Sequence, residues 1–190
     1  MTINRSSFKR LMIGYFGVSC VIFLLAFTLG FMVTHASVTY CPHPDKLMIS
    51  TTAQKSEFLR IVKINCRSYL MEALSVFSLG AWTILLLVQN GSQLGALTSR
   101  VGWSVAYHTV ALHGVPEMLA ILVNASATLS MIHCLGQAVH LGAFPNRSIY
   151  PVYVGSLIVG LLVLIAAAFI ESTVTPFSVQ YWLTTHGATC

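Results

Sequence analysis

An all-α, polytopic membrane helical bundle, with about five transmembrane helices plus one amphipathic surface helix, is the fold class that three features of the sequence predict. Hydrophobic residues make up 56% of the chain and charged residues only 8%. Mean hydropathy is +0.78. Several apolar runs approach or exceed the roughly 20 residues that cross a bilayer core of about 30 Å. Water cannot solvate such a chain on all sides, which excludes the disordered, fibrous and ordinary soluble classes. In lipid the backbone must satisfy itself, so apolar runs of this length read as helices. No internal repeat, low-complexity tract or break in composition marks a second domain, and residues 1–190 read as a single membrane domain.

Arg5, Lys9 and Arg10 precede the first span, residues 11–33. Its end, VTHA, resembles a cleavage site, but a signal-peptide core is typically about 7–15 residues long. The segment therefore reads as an uncleaved anchor with its N terminus in the cytoplasm. Residues 35–68 form a polar loop, with Pro42, Pro44, Asp45 and Lys46, followed by an amphipathic helix. In that helix Phe58, Ile61, Val62 and Tyr69 lie near one face, while Lys55, Arg60, Lys63 and Arg67 fill the other. The pattern suits a helix lying on the membrane surface, with a juxtamembrane helix packed on the bundle as the alternative.

A second span, residues 69–89, is expected to stop at Gln89-Asn90-Gly91, because Asn and Gly tolerate left-handed backbone angles. Residues 93–112 carry Gln93, Ser99, Arg100 and His108, so this segment either crosses shielded by neighbours or re-enters; crossing is the reading adopted. Spans at 115–141 and 151–171 follow, joined by the turn AFPNRSIYP. Gly91 and Gly95 in GSQLG have the small-xxx-small spacing that lets helices approach closely in lipid. Loop lysines and arginines divide almost evenly between the two sides.

The net charge of +5 is dispersed around hydrophobic segments and accompanied by no recognition motif, so lipid headgroups rather than nucleic acid are the expected partner. Cys20 and Cys134 fall inside apolar runs and read as packing residues. Cys41 and Cys66 bracket the polar segment, and a bridge between them would depend on their Cα separation.

The chemistry concentrates in HGVPE, residues 113–117. Gly114 frees the backbone and Pro116 is tolerated in the first turn of a helix, so the segment looks like a broken chain restarting inside or near the bilayer. Bare N–H groups at such a start would favour the carboxylate of Glu117. At 100° per residue, Asn124 and Thr128 fall within about 60° of His113 and Glu117, which makes one polar stripe. Ser126, His133, Gln137 and His140 make a second, opposite stripe. An ionisable group near the bilayer centre costs on the order of 2.5–3.5 kcal/mol, so this helix is expected to be central.

Glu171 closes the last span. Position alone would place it at an interface; the sharper expectation is that it approaches Glu117 or shares a partner such as Arg100 or His113. Carboxylates that meet there would keep a proton in the bundle. His133 and His140 point away from His113 and no HExxH pair occurs, so neither metal nor cofactor is expected. No Gly-x-Ser-x-Gly elbow singles out a nucleophile, and no catalytic residue is assigned.

Taken in order, Asn65, NGSQLG at 90–95, HGVPEMLAI at 113–121 and ESTVTP at 171–176 resemble the stage II sporulation protein M family of prokaryotic membrane proteins, over roughly residues 58–176. Leu112 stands where that pattern often has Pro, and Cys66 where it has a second Asn, which marks a divergent member. The resemblance implies a five-span protein of the cytoplasmic membrane without catalysis of its own. Founding members join a sporulation complex with peptidoglycan-degrading enzymes; relatives are encoded beside ATP-driven transporters, including those for circular bacteriocin secretion and self-protection. It carries over Asn90, Gly91, His113, Gly114, Glu117 and Glu171.

The leading expectation is a non-enzymatic membrane subunit acting with an ATP-binding transporter subunit or with peptidoglycan-remodelling proteins; a homo-oligomer is left open. The chain has no Gly-x-x-x-x-Gly-Lys sequence, so ATP-driven action needs a separate ATPase. Two alternatives stand beside it: a self-sufficient proton-coupled transporter using Glu117 and Glu171, and an intramembrane hydrolase or cyclase using His113 as base beside Glu117.

Overall fold

A computed structural model describes residues 4–34, 51–142 and 144–186, and these form five long helices: α1 (Arg5–Thr34), α2 (Thr51–Ala73), α3 (Ala81–Ala106), α4 (Leu112–His140) and α5 (Tyr150–His186). Three stretches are long and apolar enough to cross a membrane: Arg5–Thr34, Leu112–His140 and Arg147–Thr175. Cys41 and the polar loop that contains it lie outside the described residues; Cys66 is a free thiol.

The contacts fix the direction of each helix against its neighbours. Phe23 of α1 lies at Gly91 of α3 and Phe27 at Gly95, so α1 and α3 run parallel. Phe8 shares a core with Met131, Cys134 and Ile149, whereas Phe23 meets Leu122 and Ala125, so α1 and α4 are antiparallel. His113 meets Thr175, while Met131 and Cys134 pack near Ile149 and Val152; α4 and α5 therefore run in opposite directions. Along α2, Phe58 packs edge-on to Phe169 at 6.4 Å, the Tyr69 hydroxyl donates to the Leu157 carbonyl, and the Tyr153 hydroxyl donates to the Ala73 carbonyl. Helix α2 thus lies antiparallel along α5, and successive helices alternate in direction.

Several expected boundaries are corrected. The amphipathic helix does not end at residue 68, nor does it rest apart from the bundle: α2 continues to Ala73 and buries Ile61, Tyr69 and Glu72. The expected span 69–89 is broken in the middle. A 3₁₀ turn covers Leu74–Ser78, and Leu79 (φ 52°) and Gly80 (φ 86°) take left-handed angles that end it. Ser75 fastens this corner, its carbonyl accepting from Gly80 N–H and its hydroxyl from Thr83 N–H.

Gln89-Asn90-Gly91 does not stop a helix. Residues 90 and 91 lie inside α3, and the glycines serve packing instead: a Cβ on Gly91 would stand 2.6 Å from the Phe23 carbonyl oxygen, and one on Gly95 would overlap that of Phe27. Gly30 of α1 abuts the Ser92 backbone in the same way. The small-xxx-small expectation holds, and its partner is α1.

The break expected at HGVPE sits upstream. Gly102 (φ 79°, ψ 159°) interrupts α3, and a π-helical turn, Tyr107–Ala111, leads without a loop into α4, which contains Pro116. The wide turn disrupts the i→i−4 ladder just ahead of the proline, where the missing N–H is most easily absorbed. Gly114 clears Val110 in that preceding turn, where a Cβ would come within 2.6 Å of the valine Cγ1. The separately crossing or re-entrant segment 93–112 is replaced by the end of α3, the Gly102 kink and the π turn.

Candidate functional site

A cavity of about 600 Å³ opens between α2, α3, α4 and α5, and three of the five acidic residues of the chain line it: Glu72, Glu117 and Glu171. Helix α2 supplies Asn65, Ser68, Tyr69 and Glu72 from one face; α3 supplies Gln89, Asn90 and Gln93; α4 supplies His113, Gly114 and Glu117; α5 supplies Glu171. Leu86, Met118, Ile121 and Leu164 complete an apolar wall. The cavity is therefore amphipathic, with acceptor oxygens on some sides and hydrocarbon on others.

Glu72 is the best anchored of the acids and is 1% exposed. Asn124 Nδ2 donates to its Oε2 at 2.8 Å and to the Tyr69 carbonyl at 3.1 Å. Tyr69 is itself held by α5, because Gly160 has no side chain and leaves room for the phenol. Glu72 of α2 is thus tied to α4 through Asn124, and the neighbouring Tyr69 to α5 through the Leu157 carbonyl. Its Oε1, Asn124 Oδ1 and Asn65 Nδ2 are buried without a hydrogen-bond partner.

Two of the four pieces that carried the resemblance, HGVPEMLAI and ESTVTP, meet in space. His113 Nδ1 lies 3.1 Å from Thr175 Oγ1, and that hydroxyl donates to the Ile170 carbonyl. Glu117 and Glu171 line the same cavity. Glu117 does not cap a bare helix start, because α4 continues from the π turn; it faces the cavity.

Arg100 is not among the lining residues; it is exposed on α3, so it is no shared partner of the two acids. Asn124 and Thr128 are fully buried but lie outside the lining, Asn124 acting through Glu72. The second stripe of α4 faces α1, where Tyr15 Oη and His133 Nδ1 are 3.1 Å apart. With Asn124 through Thr128 all buried, α4 is the central helix that its two polar stripes demanded. Among the described residues, no group of three or more His, Cys, Asp or Glu side chains is placed to hold a metal ion.

Glu72 is the residue that sequence reading missed. It stands in the oily run YLMEALSVF, and Asn65, Tyr69 and Glu72 recur at spacings of four and three, one helical face. That periodicity, carried across residue 68, would have found it.

These features define a polytopic membrane protein built around an acid-lined cavity. The chain belongs to the stage II sporulation protein M family, whose model matches residues 19–176. No curated protein matches the chain, and no solved structure does.

Proposed function

We propose that this chain is a non-catalytic integral membrane subunit that works with partner proteins, either in peptide or bacteriocin export and immunity or in envelope remodelling of the sporulation type. One observation carries the reading. Lys63 and Arg67 are exposed on the outer face of α2, between Phe58, which packs at Phe169, and Tyr69, which bonds to Leu157. They therefore lie beside the middle of the apolar stretch Arg147–Thr175. Neither has an ion-pair partner among the described residues; the pair formed on α2 is Arg60 with Glu57. Two cations facing hydrocarbon at that depth would each cost on the order of 2.5–3.5 kcal/mol, and a partner covering them with carboxylates removes the cost.

In this reading all five helices cross. α3 is too polar to qualify by composition because Gln89, Asn90 and Gln93 face the cavity, and α2 because it also carries Lys63 and Arg67 on its outer face. Arg5, Lys9 and Arg10 share one end of the bundle with Arg147, since Phe8 packs on Ile149, and we assign that end to the cytoplasm. The membrane is the cytoplasmic membrane of a prokaryote.

Charge reversal at both positions, K63E with R67E, should lower recovery of the co-extracted partner roughly tenfold, while the melting temperature of the purified chain is unchanged, as for surface sites generally. Wild-type chain extracted mildly from its own membrane that migrates as a bare monomer would overturn the reading.

A second reading, self-sufficient proton-coupled transport, draws on Glu117 and Glu171 lining one cavity. Glu117 has no hydrogen-bond partner among the described residues, so Glu117→Gln should keep stability within about 0.5 kcal/mol. Flux in vesicles reconstituted with the wild type and abolished by Glu117→Gln would favour transport; no flux from either chain favours the subunit.

A further inference from the structure

We infer that the cavity is a binding site for an organic cation, a primary ammonium on an alkyl stem. Three carboxylates enter it, and among the described residues no lysine or arginine does. Glu72, though 1% exposed, has one oxygen paired with Asn124 and the other, Oε1, unpaired. A buried acceptor without a donor costs about 1–3 kcal/mol and more when charged, so a donor supplied from outside the chain meets a standing deficit. An ammonium carries three N–H donors and one positive charge, which is the complement of a carboxylate with a free oxygen.

The rest of the lining fixes the shape of the ligand. Among the described residues, no group of three or more His, Cys, Asp or Glu is placed to hold a metal ion there. The space of about 600 Å³ lies within the 300–1,000 Å³ typical of small organic ligands. Met118 and Leu164 on the apolar wall offer a surface to methylenes, not to a hydrated ion. The ammonium therefore sits at Glu72, its stem lies along Met118 and Leu164, and Glu117 and Glu171 supply the remaining negative field. This assignment concerns the chain's own interior and is independent of the outer face of α2. Its ligand is either a free amine or the side chain of a lysine in a peptide.

The test uses the full chain in lipid nanodiscs, with hexylammonium as probe and hexanol as its neutral counterpart, followed by calorimetry. Hexylammonium should bind saturably, one per chain, and hexanol should not displace it. Glu72→Gln should weaken binding roughly tenfold or more while preserving the fold, because a Gln Oε1 still accepts from Asn124. Glu171→Gln, at a half-buried position, gives the same comparison without touching the Asn124 bond. A short peptide with one lysine, compared with its acetyl-lysine form, separates the two sources: charge-dependent peptide binding assigns a lysine, and binding of hexylammonium alone assigns a free amine. Equal uptake of hexylammonium and hexanol, or affinity unchanged in both glutamine variants, overturns the inference.

Discussion

Gly95→Ala should destabilise the protein by about 3 kcal/mol, whereas Gly17→Ala should be neutral or slightly stabilising. Alanine is ordinarily the better helix former by about 1 kcal/mol, so propensity predicts a gain at both positions. Packing reverses the sign at one of them. A Cβ on Gly95 overlaps the Phe27 carbonyl oxygen and comes within 2.8 Å of the Phe31 nitrogen, while a Cβ on Gly17 meets nothing within 4 Å. The obstructed atoms are backbone, which no change of rotamer can move. Helix α1 would have to withdraw, and Phe27 and Phe31, each 5.8 Å from the Trp103 ring, would withdraw with it. In lipid, van der Waals packing takes over much of the role that water plays in a soluble core, so a lost helix contact is not offset by hydrophobic burial elsewhere. Thermal unfolding of the two variants in one detergent measures the difference. Equal melting temperatures would show that α1 does not approach α3 through these glycines.

The same glycines show how far the sequence could be read. GSQLG disclosed that helices would approach closely, yet Asn90-Gly91 also looked like a stop. A glycine that ends a helix and one that admits a neighbour are identical in sequence; only the presence of Phe23 at Gly91 separates them. The real corners fell at Gly80 and Gly102, where the left-handed angles are found and the flanking sequence gives little turn chemistry. Pro116 drew the predicted break to HGVPE, but the π turn upstream lets α4 carry the proline.

The site was more legible than the helix ends. Charge scarcity alone directed attention to Glu117 and Glu171, and the cavity contains both. His113 was expected as a partner shared by the two acids; the contact it makes is with Thr175 of α5. Arg100, offered as a possible shared partner of the acids, is exposed on α3 and outside the cavity lining. Glu72 was missed for a different reason. Dividing the chain at residue 68 cut one helical face into a surface half and a spanning half, and the recurrence of Asn65, Tyr69 and Glu72 was lost between them.

That face supports the largest effect expected of a single polar substitution. Asn124→Leu removes the donor to Glu72 Oε2 while nearly preserving volume, and Glu72 Oε1 has no partner to begin with. The carboxyl group would then be enclosed with neither oxygen satisfied, and leaving a buried acceptor without its donor costs about 1–3 kcal/mol, more when the acceptor is charged. Tyr69 loses the bond to its carbonyl in the same step, so α2 loosens from α4. Replacing both partners acts differently. In the double variant Glu72→Leu with Asn124→Leu no orphaned carboxyl group remains, and paired apolar replacements of similar shape are often nearly neutral. The double variant should therefore recover most of the stability lost by Asn124→Leu alone, giving a coupling energy of about 2 kcal/mol or more in a double-mutant cycle. Denaturant titration in mixed micelles, followed through the three tryptophans, gives all four corners of the cycle. Additive losses would mean that Asn124 and Glu72 do not touch, and α2 would then be held to the bundle by its other contacts, among them Tyr69, Tyr153 and the packing of Phe58 on Phe169.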